Sequence, residues 1–153
     1  MPLSNTDKML LAIELAKEAE LSDEVPIGAV LIHEEKIIGR GYNLREKTGK
    51  TTAHAEIQAL EDYNQRNHEW RLPVGTSLFV TAEPCLMCTG ALVWARLDYL
   101  FYGALDPKSA SLRTFLPSIE QGLFDHRFKK VEGGILGDVC GSLLSNYFKK
   151  KRP

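Results

Sequence analysis

Residues 77–88 read Ser77-Leu78-Phe79-Val80-Thr81-Ala82-Glu83-Pro84-Cys85-Leu86-Met87-Cys88 (SLFVTAEPCLMC), and they change character halfway. Ser77 to Thr81 is a short apolar run of the kind a buried strand needs. Pro84 stops that strand and opens a helix running to about Ala95, because proline lacks an N–H and suits a first helical turn. Cys85 and Cys88 are thereby one turn apart at the start of the helix, a spacing at which two thiolates meet one metal ion. A strand that feeds a helix carrying its chemistry on the first turn is the unit of an α/β domain.

Working outward, Val25 to His33 and Lys36 to Asn43 are strand-like runs joined by His33-Glu34-Glu35, which predicts an antiparallel hairpin. A polar loop through Lys50 leads to a helix over Ala53 to Tyr63, with Ala55, Ala59 and Leu60 at helical spacing and Thr51 or Thr52 placed to cap it. His54 and Glu56 then fall in its first turn. Near the N-terminus, Ser4, Asn5 and Thr6 are candidate caps for a packing helix whose apolar face is Met9, Leu10, Ile13, Ala16 and Leu21. Downstream, Asp98 to Gly103 is a strand, a Ser/Leu/Pro-rich region extends to Gly122, and Leu136 to Lys149 closes the chain as a helix. This order predicts a three-layer α/β/α sandwich with a sheet between helices.

Composition narrows the function classes. A chain of 153 residues with 44% hydrophobic and 25% charged residues has the size and balance of a single globular domain. The net charge of −1 gives no global attraction to phosphate, so a nucleic-acid role needs a local basic patch, for which the tail Lys149-Lys150-Lys151-Arg152 is the candidate. Charges interrupt the first twenty residues too often for a signal peptide or membrane span, which implies a cytoplasmic protein that does not engage the membrane. Three cysteines, two of them in C-x-x-C, suit a reducing compartment and metal binding better than a disulfide.

His54-Ala55-Glu56 supplies what the cysteines lack. Two successive strand-to-helix turns bring two helix N-termini to one edge of a sheet, where unpaired N–H groups stabilise thiolates. His54, Cys85 and Cys88 make three zinc ligands. A structural zinc site would close the fourth position with another Cys or His, and no comparable local arrangement offers one, so that position is open to water. Glu56, not needed as a ligand, can move that water's proton. A redox C-x-x-C of thioredoxin type would leave the H-x-E stretch without a role.

The pattern H-x-E…P-C-x-x-C is also the signature of zinc nucleobase deaminases. Nearly the whole chain resembles the bacterial tRNA-specific adenosine deaminases of the cytidine deaminase-like superfamily. The matching stretches are Glu24 to Leu31, Thr52 to Leu60, Leu78 to Cys88, Tyr102-Gly103-Ala104 with Asp106 and Lys108, and Gly134 through Cys140 to Phe148. The resemblance implies a five-stranded mixed sheet and one zinc per subunit on His54, Cys85 and Cys88. It further implies Glu56 as proton shuttle and Asn43 as a hydrogen-bonding partner of the base. Asp106, Lys108, Tyr147 and Phe148 would contact substrate, with the last helix along the RNA. The implied reaction is adenosine-to-inosine conversion at the wobble position of a tRNA anticodon stem-loop, by a homodimer without an organic cofactor. Lys108-Ser109-Ala110-Ser111 departs from the family's usual Lys-x-Gly-Ala.

Other residues have plainer readings. Cys140 sits at helical spacing with Leu136, Leu143 and Leu144 and reads as a packed thiol. His33 and His68 read as solvated, His126 as a surface or packing residue, and Trp70 and Trp94 as core or interface. Two competing functions remain: deamination of a free base or nucleotide such as guanine or cytosine, which would not need the basic last helix, and a non-catalytic zinc-stabilised RNA-binding subunit, which would not need Glu56.

Overall fold

The computed structural model describes residues 2–106 and 110–152. Along the chain come α1 (Asn5–Leu21), β1 (Gly28–His33), β2 (Lys36–Tyr42), α2 (Arg45–Thr48), α3 (Ala55–Asn67) and β3 (Ser77–Ala82). They are followed by α4 (Leu86–Trp94), β4 (Tyr99–Ala104), α5 (Ser111–Glu120), β5 (Lys130–Glu132) and α6 (Gly137–Lys151). The strands form one five-stranded mixed sheet in the order β2-β1-β3-β4-β5. β1 runs antiparallel to both its neighbours, whereas β3, β4 and β5 are parallel. β2 and β3 therefore point the same way, and their C-terminal ends flank the start of β1.

Side chains alternate across the strands, as the period of two requires, and build a core on each face. Leu31, Leu78, Val80 and Leu100 pack under α3, α4 and α5. Val30, Ile32, Phe79 and Phe101 face α1 and Cys140 of α6, with the Phe79 and Phe101 rings stacked at 4.6 Å. Helices thus cover both faces, giving the expected three layers. Among the described residues, no helix is long and apolar enough to cross a membrane.

The β1–β2 hairpin turns on Glu34 and Glu35, both at positive φ (50° and 63°), the geometry of a tight two-residue turn. In α1 the Ser4 hydroxyl accepts the Asp7 N–H and the Asp7 carboxylate accepts the Ser4 N–H, closing a capping box. Its buried stripe differs from the expected one. Met9, Ile13 and Ala16 are buried as expected, but Leu10 and Leu21 are 46% and 83% exposed, and Ala12 and Ala19 are buried in their place. Alanines are needed there because α1 lies directly on Gly28, where an added Cβ would come within 2.1 Å of the Ala12 carbonyl oxygen.

Other boundaries also shift. α3 begins at Ala55, so His54 caps it in extended conformation (φ −76°, ψ 158°) instead of lying within its first turn, and neither Thr51 nor Thr52 is the cap. α4 begins at Leu86 with Cys85 as its cap. The Ser/Leu/Pro-rich region contains α5 with Pro117 inside it. Cys140 is buried, as its spacing indicated, whereas Trp70 and Trp94 are 54% and 69% exposed and do not belong to the core.

Candidate metal centre and active site

His54 and Cys85 both cap helices at this edge of the sheet: α4 follows β3 directly, whereas α3 follows β2 after the short α2 and a loop. A cap residue has left the helical backbone path, so its side chain is held across the helix mouth. Cys88, three residues into α4, turns back to the same point. The His54 Nδ1 atom lies 3.4 Å from Cys85 Sγ and 3.6 Å from Cys88 Sγ. All three donor atoms are within 4.8 Å of one another, and the group could hold a metal ion. The positive ends of α3 and α4 both face this point, which favours thiolate over thiol.

The ionisation pattern follows from that crowding. The Cys88 S–H donates toward Cys85 and, with help from His54 and against burial, brings the Cys85 thiol down to about 4. Cys88 moves the other way, because it donates that bond and is buried beside Glu56. His54 is raised, first by its bond to Cys85. Glu56, on the first turn of α3, is 4% exposed, and burial pushes its carboxyl up to about 7. A carboxyl poised there exchanges protons in both directions near neutral pH.

The other expected site residues are distributed around this edge of the sheet. Asn43 is buried just after β2; its Oδ1 accepts the Arg45 N–H at 3.2 Å and its Nδ2 is 3.5 Å from the Val25 carbonyl, so it holds the start of α2. Asp106 is half-buried, and its backbone N–H donates to Glu83. Lys108 lies outside the described residues. The Tyr147 hydroxyl donates to the Asp23 carbonyl at 3.2 Å, and Phe148, 42% exposed, packs its ring against Tyr147. Tyr147 and Lys151 line a groove of about 560 Å³ with Ser22, Asp23, Glu46 and Lys47. Lys151 of the basic tail is paired with Asp23 there.

Two buried carboxylates escaped the sequence reading. Glu24 has no exposed surface and accepts the N–H groups of Glu46 and Lys47 at 3.0 and 2.7 Å, anchoring α2 beside Asn43. Glu83, next to Pro84, is held by Arg113 of α5. An acid at the end of an otherwise apolar strand was the available signal for Glu83. A second basic cluster, besides the tail, forms where the loops entering β3, β4 and β5 meet; the stretch His126 to Lys130 was its local signal, and Arg71 and Arg96 join it from distant parts of the chain. His126 belongs to that region and packs inward, its Nε2–H donating to the Leu97 carbonyl. His33 is half-buried, with its Nε2–H donating to the Val74 carbonyl, and is not simply solvated.

Known proteins give this geometry a context. The MafB19-like deaminase family matches residues 3–152. The tRNA-specific adenosine deaminase of Bacillus subtilis (strain 168) is 41% identical over 141 residues, covering 92% of this chain and 86% of the relative. That of Buchnera aphidicola subsp. Schizaphis graminum is 41% identical over 151 residues, 97% of this chain and 98% of its own. A solved tRNA:A34 deaminase superposes with a TM-score of 0.83 at 36% identity, over 92% of this chain and 100% of that one. The guanine deaminase of Nitrosomonas europaea shares the fold, with a TM-score of 0.78 at 24% identity over 96% of this chain and 86% of its own. With a family match from end to end and two-fifths of its residues shared with full-length relatives, the chain belongs to the MafB19-like deaminases, among the tRNA-specific adenosine deaminases.

Proposed function

We propose that this chain is a zinc-dependent hydrolase that converts adenosine to inosine at the wobble position of tRNA anticodons. The observation that carries this reading is the meeting of His54, Cys85 and Cys88 beside the buried carboxyl of Glu56. A tetrahedral ion with bonds of about 2.05 Å to nitrogen and 2.3 Å to sulfur separates those ligands by about 3.6 Å. The distances of 3.4 and 3.6 Å between His54 Nδ1 and the two sulfurs fit that edge, and the Cys2His donor set favours zinc. When bound, zinc would supply a Lewis acid that brings the pKa of a water toward neutrality.

The protein's own groups do the rest in this reading. Glu56 accepts a proton from the water whose oxygen bonds to C6 of adenine. It returns that proton to the ring nitrogen, then takes the second proton from the same oxygen and passes it to the departing amine as the C6 carbonyl forms. The C6–N bond breaks, so adenosine and water become inosine and ammonia. Asn43 orients the base: its carboxamide has two N–H groups and two lone pairs, and the loop engages one of each. Asp106, Lys108, Tyr147 and Phe148 contact the RNA around it. A loop nucleotide suits this pocket because it is already unpaired, and extruding it is cheaper than opening a duplex.

Residues 1–153 act as one deaminase domain, with both end helices on the sheet, and as a homodimer in the cytoplasm without an organic cofactor. The exposed Leu86 and Trp94 on α4 and Phe115 on α5 supply apolar surface for a second copy. The test is inosine formation by the zinc-loaded protein on an anticodon stem-loop with adenosine at the wobble position, beside free adenine, guanine, cytosine and their nucleosides. Inosine in the stem-loop alone is the expected result. Ammonia from a free base with untouched RNA would overturn the substrate and keep the zinc chemistry.

A further inference from the structure

The loops that enter β3, β4 and β5 meet at the end of the sheet opposite His54, Cys85 and Cys88. They enclose a groove of about 510 Å³ whose polar lining is Arg71, Arg96, Asp98, His126, Arg127 and Lys129. Four cations face one carboxylate here, in a chain whose net charge is −1. That carboxylate is already engaged: Asp98 is 5% exposed, accepts the Gly75 N–H at 2.7 Å and lies 3.5 Å from Lys129 Nζ. The Glu69 carboxylate accepts the Arg71 backbone N–H at 3.1 Å, and Asp125 adjoins His126 and Arg127 in sequence, so these acids also border the groove. Above the groove, Trp70 is 54% exposed and carries the guanidinium groups of Arg71 and Arg96 at 4.8 and 5.7 Å from its ring. Arg96 also donates to the Val93 and Trp94 carbonyls, which holds it at the end of α4.

Guanidinium groups held on an aromatic ring are pre-organised for phosphate oxygens and lose little side-chain freedom on binding. The groove is separated from the metal ligands by the length of β3, whose six residues span about 20 Å. A free base or nucleotide cannot occupy both places. A nucleic-acid duplex can, since 20 Å of it carries on the order of ten phosphates.

We propose that this groove binds the phosphate backbone of an RNA stem, so that the substrate is gripped at the far end of the sheet from the base being deaminated. The assignment rests on the RNA reading of the active site. Contacts of this kind position the substrate without reading sequence. Arg71, Arg127 and Lys129 are the phosphate ligands, while the Trp70 ring holds Arg71 in place.

The experiment compares the zinc-loaded protein with an Arg71→Gln/Arg127→Gln/Lys129→Gln variant, none of whose changes touches the metal site. Binding of a full-length tRNA, and of a short single-stranded anticodon-loop oligonucleotide, is measured by fluorescence anisotropy across a salt series. For the full tRNA, the variant should bind at least 10-fold more weakly at low salt, and its slope of log K against log salt should be shallower by about 2 to 3. Binding and deamination of the short oligonucleotide should stay within about twofold of the parent. Unchanged affinity and slope on tRNA overturn the proposal, as does an equal loss on the short oligonucleotide. Loss of binding to a polyglutamate peptide with tRNA binding intact would assign the groove to an acidic protein partner and overturn it too. Because binding is read separately from inosine, a protein that grips tRNA through this groove but deaminates only free bases would sink the proposed function and leave the groove standing.

Discussion

Arg113 clasps Glu83 through two parallel hydrogen bonds, Nε to Oε2 at 2.8 Å and Nη2 to Oε1 at 2.9 Å, and so ties the first turn of α5 to the turn that presents Cys85. The Glu83 side chain is wholly buried, and the Asp106 and Arg113 N–H groups complete its hydrogen bonding. Burial would raise this carboxyl, but the Arg113 guanidinium and those two N–H groups outweigh it and hold it below the usual range.

A depressed carboxylate stabilises the fold above its unfolded pKa of about 4.3, and that contribution is lost as pH falls through the lower folded value. Thermal midpoints should therefore fall as the pH is lowered below about 4.3. In Arg113→Met, burial of Glu83 goes unopposed by a cation and its carboxyl moves up, so the sign reverses: the variant's deficit should be largest near neutral pH and should shrink on acidification, as protonation relieves the buried charge. The double variant Glu83→Gln/Arg113→Met should regain part of the stability lost by Arg113→Met alone, since no buried charge is then left unpaired. Identical pH profiles for the parent and Arg113→Met would show that the clasp contributes nothing.

Glu56→Gln keeps the size of the side chain and removes its ability to carry protons. Metal content and thermal midpoint should match the parent, while the rate of ammonia release falls by about 10²–10⁴. Ammonia release at the parental rate would sink the mechanism.

Cys88→Ser removes one of the three donors, His54 Nδ1 and the Cys85 and Cys88 sulfurs, that meet at the site. Elemental analysis should find one ion per chain in the parent, and in the variant that content should drop by at least an order of magnitude at about 1 µM free zinc. Chelation of the parent should lower its thermal midpoint, since an ion that binds only the folded chain stabilises it by mass action. A midpoint indifferent to chelator would count against the centre.

Gly41→Ala tests the seat of α3. A Cβ there would meet the Ala55 carbonyl oxygen and the Ala59 nitrogen, each at 2.3 Å, so α3 must move away from β2. Overpacking of this kind costs about 1–3 kcal/mol, readable in a urea titration. Because α3 carries His54 at its cap and Glu56 in its first turn, metal affinity should fall with stability.

The sheet, its hairpin and the helices that carry the site were legible because their signals are local: apolar runs, Pro84, a polar two-residue turn and the H-x-E and C-x-x-C stretches. The structure brings His54, Glu56, Cys85 and Cys88 together as that reading expected. What escaped has physical reasons. α5 carries Pro117 within it, a residue that signals a break, and β5 has only three residues, Lys-Val-Glu, too few for a periodic pattern. The exposed Leu10 and Leu21 lost their places to alanines because backbone approach at Gly28 outranks side-chain hydrophobicity there. Arg71 and Arg96 lie far in sequence from Arg127 and Lys129, so only the topology gathers the four.

The antiparallel β1 between β2 and β3 gives the metal centre a place in the timing of biosynthesis. While the chain is still emerging from a ribosome, the histidine and the first hairpin are available well before Cys85 and Cys88. The two thiols alone form half a site. Only when β3 has docked on β1 does the large loop between His54 and Cys85 close, and its entropic cost is then met by sheet pairing instead of by the ion. An ion held by all three ligands would thus be captured late, after β3 has paired with β1, and a nascent chain could not fix it before its sheet is in register.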